Sequence, residues 1–240
     1  MIPWLRSASE FPPVNKALTD PNGLLCVGGN LAPETLLAAY SRGIFPWYSA
    51  GEPILWWSPD PRMVLFPDEF KLSRSLAKTV RRGTFTIRFN SAFREVLAAC
   101  AAPRTPDGGT WITSEMQEAY YRLHQAGYAH SVESWLPSTG LPSTEREQLV
   151  GGLYGVALGK VFFGESMFSR VTDASKVALV ALVDKLRAEG FQLIDCQQQT
   201  RHLASLGARP IPRSEFTALL ERWIISPPHF QPQRDRDTNP

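Results

Sequence analysis

The chain has 240 residues, of which 43% are hydrophobic and 20% are charged, and its formal net charge is +2. These values are ordinary for a soluble globular protein, and a charge so near zero neither requires nor excludes a nucleic-acid partner. No apolar run approaches the ~20 residues of a membrane span, the N-terminus carries no signal-peptide core, and the three cysteines show no metal-ligand spacing. We therefore expect a cytoplasmic protein that uses no metal.

The first part of the chain is rich in proline, and one helix in it is convincing. Pro33 suits a first helical turn and Gly43 can end the helix. We assign residues 1–66 to a small, loop-rich N-terminal domain and residues 67–226 to a larger second domain. Residues 227–240 are dominated by Pro, Gln, Asp and Arg, which predicts a disordered tail.

Aromatic side chains are concentrated in residues 43–62, where Trp47, Tyr48, Trp56 and Trp57 lie among prolines. One interpretation is that they pack an irregular backbone. The other is that they form a platform on which an unpaired base or an apolar side chain stacks. Both interpretations can hold at different positions.

Basic side chains recur every three or four residues within residues 71–82. A helix there would place these residues on one face, apart from the leucines and valine: Lys71, Arg74, Lys78 and Arg81, followed by Arg82. Such a basic stripe is either a solvated face or a set of phosphate contacts, which would position a nucleic acid without reading its sequence.

The middle of the chain alternates predicted strands and helices. The sequence predicts strands over residues 85–89 and 129–135 and a helix over residues 91–99. A further helix is expected to begin at Ser114, with Ser114 as its N-cap and Gln117 three residues later, and to stop at Gly127. Residues 136–147 are polar and of low complexity, which is typical of a mobile surface loop.

A β-hairpin is predicted in the second half, where apolar residues run up to Gly159 and Lys160 and resume at Val161. Its outgoing arm delivers a carboxylate and a cation among large apolar side chains, namely Glu165, Met167, Phe168 and Arg170. Burying this carboxylate and this cation costs free energy unless each has a partner or a bound substrate group.

The chain then continues with a helix and a short strand. Asp173 can cap a helix over residues 174–189, which is apolar on most faces and must be largely buried. The stretch LIDCQ (residues 193–197) begins with a short strand, residues 193–194, whose end presents Asp195 and Gln197, and period-two alternation would point these two side chains the same way. A last amphipathic helix carries Phe216, Leu219, Leu220 and Trp223.

Several long motifs, in order, resemble the bacterial leucyl/phenylalanyl-tRNA-protein transferases. They are DPNGLL (residues 20–25), GIFPW (43–47), PILWWSPDPR (53–62), GTWIT (109–113), GGLYGV (151–156), FGESMFSR (163–170), ASK (174–176), LIDCQ (193–197) and HLASLGA (202–208). The resemblance runs from about Asp20 to Trp223. It implies an α+β fold, with a small loop-rich N-terminal domain and an acetyltransferase-like C-terminal domain whose central mixed sheet is flanked by helices.

The resemblance also implies an activity and its partners. The family transfers Leu or Phe, sometimes Met, from leucyl-tRNA or phenylalanyl-tRNA to the N-terminal Arg or Lys of proteins, which marks them for N-degron degradation. An aminoacyl ester is already activated, so no cofactor is expected, and the sequence contains no P-loop, metal cluster or Ser/His/Asp pattern. We expect a monomer without membrane contact that mainly positions two substrates.

By resemblance, Asp195 and Gln197 lie at the catalytic position, with Gln197 drawing on the attacking amine and Asp195 orienting Gln197. A neutral amide accepts a hydrogen bond but holds no proton, so the proton ends on Asp195, a water or the tRNA ribose. Asp195 could instead be a satisfied carboxylate at a strand end. Glu165 is expected to bind a cation, either the donor's amino group or the acceptor's Arg or Lys; alternatively, it forms an ion pair with Arg170.

The other site residues also come from the resemblance. The family's side-chain pocket maps to Leu153, Phe162, Met167, Leu179 and Ile194, any of which could simply be core. Trp47 and Trp111 resemble residues near the terminal adenosine. The residues matching the acceptor-stem contact are Lys71, Arg74, Lys78, Arg81 and Arg82.

Two other functions can be compared with this one. An acetyl-CoA-dependent N-acyltransferase would cradle pyrophosphate with a glycine-containing turn at a helix start, but the corresponding turn here, SRVTDASK, contains no glycine. A binding module without turnover would lose tRNA affinity and transfer together when Asp195 or Gln197 is replaced, whereas an enzyme would lose transfer alone.

Overall fold

A computed structural model describes residues 2–103, 110–137 and 147–224. Within them the chain forms two β-sheets and seven α-helices. The helices are α1 (Pro33–Tyr40), α2 (Arg74–Arg82), α3 (Phe93–Ala101), α4 (Ser114–Gln125), α5 (Ala174–Ala188), α6 (Arg201–Ser205) and α7 (Arg213–Trp223). The strands of the small sheet are β1 (Trp4–Leu5), β2 (Leu24–Gly28), β3 (Phe45–Pro46) and β4 (Leu55–Trp57). Those of the large sheet are β5 (Arg62–Leu65), β6 (Thr86–Phe89), β7 (Ala129–Pro137), β8 (Glu147–Leu158), β9 (Val161–Ser169), β10 (Leu193–Gln197) and β11 (Arg209–Ile211).

The small sheet has the strand order β1-β2-β4-β3. Its centre is Trp56, which is fully buried and donates its indole N–H to the Gly28 carbonyl at 2.8 Å. The same hydrophobic cluster continues through Tyr40 into Phe163 and Tyr154 of the large sheet. The two sheets therefore share one core.

The large sheet has the order β11-β5-β10-β9-β8-β7-β6. Its neighbours are antiparallel except for β9 and β10, which run parallel and are joined through α5. A parallel pair needs such a crossover, because the chain must return to the starting edge of the sheet. The expected α+β class, with a central mixed sheet flanked by helices, is confirmed.

Helices cover both faces of the large sheet. On one face, α5 buries nine of its side chains, as its apolar sequence predicts, and α2 packs against it through Leu76. On the other face, α3 and α4 pack against β7 and β8. The sheet is thus sandwiched between helices.

The predicted hairpin is confirmed, with Gly159 and Lys160 as its two-residue turn. Gly159 has φ +57°, and a Cβ atom there would lie 2.2 Å from the Trp223 carbonyl oxygen. Glycine is required on both counts, since other residues seldom adopt this backbone and none fits the space.

Two predicted helix caps are wrong. Thr113, not Ser114, caps α4, because its hydroxyl accepts the Met116 N–H at 3.2 Å. The Gln117 side chain reaches the Ile112 carbonyl instead of closing a capping box. Asp173 precedes α5 but makes no side-chain cap; its φ is +66° and its carboxylate pairs with Lys176.

The basic stripe differs at its first residue. Lys71 lies before α2 rather than on it, and its N–H donates to the Leu206 carbonyl. The helix begins at Arg74 because Ser73 accepts the Leu76 N–H and so caps it.

Strand β5 bears on the proposed division at residue 66. Arg62–Leu65 pairs with β10 and β11, within the large sheet. We propose a boundary between Trp57 and Arg62 in place of one after residue 66.

Several sequence-based expectations lie outside the described residues. They concern residues 104–109 with Gly109 of the GTWIT motif, most of the 136–147 loop, and the tail over residues 227–240. Leu136, Pro137 and Glu147, at the ends of that loop, belong to strands. Within the described residues, no helix has the length and apolar character that crossing a bilayer requires.

His130 on β7 gives the fold a pH dependence. It is 5% exposed, and burial, reinforced by the positive charges of His124 and Lys185, lowers its pKa to about 3. Because the unfolded chain takes up a proton near pH 6.5, the stability held by neutral His130 is lost as pH falls below that value. We expect the parent protein to lose about 2 kcal/mol more than His130→Gln between pH 7.5 and 5.0 in urea unfolding. Parallel pH curves for the two proteins would refute this.

Candidate active site

The candidate site lies where the parallel strands β9 and β10 part. Their last paired residues are Phe163 and Asp195. Just beyond this pair, the ladder of each strand with its outer neighbour is irregular: Glu165 is skipped in the pairing of β9 with β8, and Cys196 in that of β10 with β5. Such bulges re-aim side chains, and here they open a cleft between the two strands.

Asp195 is locked at this point by Arg62. Both side chains are 0% exposed, and two parallel hydrogen bonds of 2.8 and 2.7 Å join the guanidinium to the two carboxylate oxygens. Arg62 also donates to the Gly43 carbonyl at 3.1 Å and lies between the rings of Phe45 and Phe216. The Asp195 carboxylate is therefore a buried anion whose two oxygens both accept hydrogen bonds from Arg62, and it is not available as a free base.

Gln197 departs from the alternation that the sequence predicted. Its φ of +53° and the irregular pairing break the period of two, and its backbone N–H donates to Asp195 Oδ1 at 3.0 Å. The side chain lines the cleft, and its buried Nε2 atom has no hydrogen-bond partner among the described residues. The buried ion pair therefore fixes the backbone turn from which Gln197 projects.

Glu165 faces Gln197 across the cleft and is held by two tyrosines. Tyr40 Oη lies 2.7 Å from one carboxyl oxygen and Tyr120 Oη lies 2.8 Å from the other, both at hydrogen-bond distance. Burial raises the pKa of Glu165 to about 7, partly offset by the two hydroxyl donors. The alternative ion pair with Arg170 is not formed: Arg170 binds the Leu149 carbonyl and covers the Phe168 ring.

An apolar cavity of about 400 Å³ opens beneath Glu165. All five residues that the resemblance assigned to the side-chain pocket line it: Leu153, Phe162, Met167, Leu179 and Ile194. Glu165, Gln197 and Trp111 stand at the same cavity. Further polar residues also line the cavity, namely Tyr154, Ser166, Thr200 and His202, so its lining is mainly but not wholly apolar.

An aromatic cleft of about 290 Å³ adjoins the apolar cavity and shares Trp111, Glu165 and Gln197 with it. Trp47, which is 41% exposed, lines this cleft and continues with Trp111 into a larger aromatic groove of about 870 Å³. Trp56, by contrast, is core, and Tyr48 is buried. The packing interpretation holds for Trp56 and Tyr48, and the stacking interpretation stays a prediction for the exposed Trp47 and for Trp111.

Cys196 lies at the junction but is not a nucleophile. Burial raises the pKa of its thiol well above the ordinary value, and Asp195 adds to the shift. The thiol therefore stays protonated and unreactive at neutral pH. In the described part of the chain, no cluster of three His, Cys, Asp or Glu side chains is arranged to hold a metal ion.

The basic face of α2 consists of Arg74, Lys78, Arg81 and Arg82, all exposed. None of the four pairs with a carboxylate among the described residues. The helix packs on α5, which contributes Leu179 to the apolar cavity. Four unpaired cations on one face suit an extended polyanion.

The sequence indicates no role for Arg62, Tyr40 or Tyr120. Arg62 falls inside a matched motif, PILWWSPDPR, but nothing local marks it as buried. The helical spacing places Tyr40 on the apolar stripe of α1 and Tyr120 on that of α4, which is correct for the rings. Their hydroxyls meet 2.6 Å apart only because the two helices converge on Glu165.

Comparison with known proteins gives consistent matches. The family described as leucyl/phenylalanyl-tRNA protein transferase matches residues 64–221, and its N-terminal domain matches residues 29–60. A leucyl/phenylalanyl-tRNA--protein transferase of Azoarcus sp. (strain BH72) is 60% identical over 95% of this chain and 93% of its own. That of Stutzerimonas stutzeri (strain A1501) is 58% identical over 95% and 97%. The crystal structure of FemX aligns with a TM-score of 0.48 at 11% identity, over 79% of this chain and 71% of FemX.

The buried ion pair yields a stability prediction. Asp195→Asn leaves a buried guanidinium without its anion, so it should cost about 3–5 kcal/mol in urea unfolding. The double variant Arg62→Met/Asp195→Leu should recover much of that loss, because neither charge remains. The exposed pair of Arg209 with Glu69 is the control: Arg209→Ala should cost less than about 1 kcal/mol. A double variant as unstable as the sum of its single variants would contradict the coupling.

Proposed function

The chain belongs to the leucyl/phenylalanyl-tRNA protein transferase family, and on that premise we propose where each of its two substrates binds in the cleft. The chain is an aminoacyltransferase that moves Leu or Phe from aminoacyl-tRNA to the N-terminus of a protein, and a role in N-degron degradation fits the family. One observation supports this use of the site above all. The apolar cavity and the aromatic cleft meet at Glu165 and Gln197.

The donor's Leu or Phe side chain occupies the apolar cavity. Its walls are mostly aliphatic and aromatic, so a Leu or Phe side chain that enters it removes apolar surface from water. Met167 has an unbranched thioether that adapts to either a branched or a planar side chain. Leu153, Phe162, Leu179 and Ile194 supply the fixed walls.

The aromatic cleft takes the nucleoside that carries the ester. Trp47 and Trp111 line this cleft together with Glu165 and Gln197, and an exposed indole stacks on any base. The terminal adenosine of tRNA would then lie beside the aminoacyl group to which it is bonded.

Glu165 binds the donor's α-amino group. This group shares its carbon atom with the side chain, so filling the apolar cavity brings the amine to the mouth, where Glu165 is held by Tyr40 and Tyr120. A charge-assisted hydrogen bond of this kind contributes roughly 1.5–3 kcal/mol. The geometry favours this partner over the acceptor's cationic side chain.

Peptide-bond formation takes place beside Gln197. The acceptor's α-amine attacks the ester carbonyl, the C–N bond forms, and the ester bond to the ribose oxygen breaks. The Gln197 amide oxygen can accept a hydrogen bond from the attacking amine, while Asp195 orients Gln197 through its backbone N–H. Both Asp195 oxygens are occupied by Arg62, and the carboxylate is unexposed, so the amine's proton passes to water or to the ribose oxygen.

The remaining assignments rest on the family. We propose leucyl-tRNA and phenylalanyl-tRNA as donors, proteins beginning with Arg or Lys as acceptors, the cytoplasm as the compartment and a monomer as the working form. Gln197 and Asp195 are proposed as the catalytic pair. The exposed α2 cations, with Lys71 just before the helix, are proposed to bind the tRNA acceptor stem.

The experiment that tests the function measures transfer of labelled Phe from Phe-tRNA to two peptides, one beginning with Arg and one with Asp. We expect labelling of the Arg peptide alone, without ATP or added metal. Gln197→Ala should lower the transfer rate at least tenfold while leaving tRNA affinity within about twofold, because the amide contacts only the reacting groups.

Gln192→Ala serves as the matched control, since Gln192 is exposed and lies on the same stretch of chain, just before β10. It should transfer Phe at the parent rate. Equal loss of transfer and tRNA affinity in Gln197→Ala would support a binding module instead.

A second prediction concerns tRNA. Replacing Arg74, Lys78, Arg81 and Arg82 with Gln should weaken tRNA binding and flatten its salt dependence, by about 0.7–0.9 in log-log slope for each phosphate that the protein no longer neutralises. The measurement is affinity for Phe-tRNA across a salt series.

The control variant neutralises four exposed cations away from α2: Lys16, Arg94, Arg122 and Arg222. It should keep the parent slope. If the α2 variant keeps the parent slope as well, the stripe is a solvated face.

A further inference from the structure

At the mouth of the apolar cavity, the hydroxyl groups of Tyr40 and Tyr120 and the carboxyl group of Glu165 form a closed ring of three hydrogen-bond contacts. Tyr40 Oη is 2.6 Å from Tyr120 Oη and 2.7 Å from Glu165 Oε1, and Tyr120 Oη is 2.8 Å from Glu165 Oε2. The three residues come from α1, α4 and β9, so the ring is a tertiary feature. All three separations are typical of O–H···O hydrogen bonds.

Counting hydrogen atoms shows what this ring requires. Each contact needs one hydrogen between its two oxygens. Two tyrosine hydroxyls supply two hydrogens, and an ionised carboxylate supplies none, so one contact would bring two bare oxygens together. A protonated Glu165 supplies the third hydrogen and completes the ring.

We propose that Glu165 is a neutral carboxylic acid in the empty enzyme and gives up its proton when the donor's α-ammonium group binds. The inference rests on the donor site proposed above. The step is Glu165–COOH plus R–NH₃⁺ giving a Glu165–COO⁻···⁺H₃N–R pair, and the carboxyl proton goes to solvent. Loading of the donor is thereby coupled to proton release.

The surroundings of Glu165 agree with this proton. Burial is the main cause that raises its pKa to about 7; the hydrogen bonds with Tyr40 and Tyr120 lower the pKa, Asp195 raises it and Arg62 lowers it. Tyr154 on β8 also faces it, and burial raises the pKa of that phenol far beyond neutrality, so Tyr154 does not compete. Asp195 and Arg62 neutralise each other, so among the residues that the structure describes Glu165 has no cation of its own as a counter-ion.

Two matched probes test the inference. The first is 3′-(L-phenylalanyl)amino-3′-deoxyadenosine, whose amide cannot be transferred. The second is the 3-phenylpropanoyl analogue, which differs only in lacking the α-amine. Calorimetry at pH 6.0 in buffers of different ionisation enthalpy counts the protons released. We expect close to one proton per molecule of the first probe and none for the second.

The affinities should diverge with pH in the same way. Below pH 7 the binding of the amine probe should weaken by up to tenfold per pH unit, because Glu165 must first ionise. The analogue's affinity should stay level. An infrared difference spectrum on binding the amine probe should show a carboxylic-acid C=O band lost and a carboxylate band gained.

Two variants assign the signal. Glu165→Gln should abolish both the proton release and the infrared change, and should weaken the amine probe at least tenfold at pH 7.5 without affecting the analogue. Glu115→Gln is the control, because Glu115 also accepts from a tyrosine hydroxyl, Tyr48 at 3.3 Å, yet is exposed. It should behave as the parent.

The outcomes separate the inference from the proposed function. If neither probe binds the parent protein, the donor site itself is wrong. If the amine probe binds more tightly than the analogue but releases no proton at pH 6.0, Glu165 is already ionised and the inference fails while the donor site stands. Release that persists in Glu165→Gln would place the proton elsewhere and overturn the inference.

Discussion

The guanidinium of Arg62 connects parts of the chain that are far apart in sequence. It binds Asp195 in the middle of β10 and the Gly43 carbonyl after α1, and it lies between Phe45 of the small sheet and Phe216 of α7. A charge with no access to water is tolerated because every neighbour compensates for it: one carboxylate, one carbonyl and two ring faces. Arg62 thereby also fixes the cleft, since the Asp195 carboxylate that it binds accepts a hydrogen bond from the backbone N–H of Gln197.

The division of the sheet explains why chemistry appears where it does. The paired residues of β9 and β10 are Val161, Phe162 and Phe163 with Leu193, Ile194 and Asp195; all six are buried, and Asp195 is the one polar side chain among them. Beyond the last pair, each strand accommodates one extra residue, and the polar groups turn toward one another across the gap. The apolar cavity therefore continues the core at the place where the two strands separate. Its walls are the same kinds of side chain that stabilise the sheet.

The sequence was informative wherever period and chain order suffice. The hairpin at Gly159, the buried α5 and the order of strands and helices follow from local patterns, and the family motifs identified the residues that gather at the cavity. The arrangement of the polar groups did not follow. The alternation that predicted a common direction for Asp195 and Gln197 fails because one bulge lies between them. The partners of Glu165 come from helices 125 and 45 residues earlier, a distance over which no local pattern carries information.

The single core shared by both sheets has a consequence for how substrates arrive. Trp56, Tyr40, Tyr154 and Phe163 belong to one packed cluster, so the small sheet cannot swing away from the large one without opening that cluster to water. The enzyme therefore does not bind its substrates by moving one sheet against the other. Flexibility has to be brought by the substrates, and both of them bring it: one is the single-stranded tip of a tRNA, the other the loose first residues of a polypeptide.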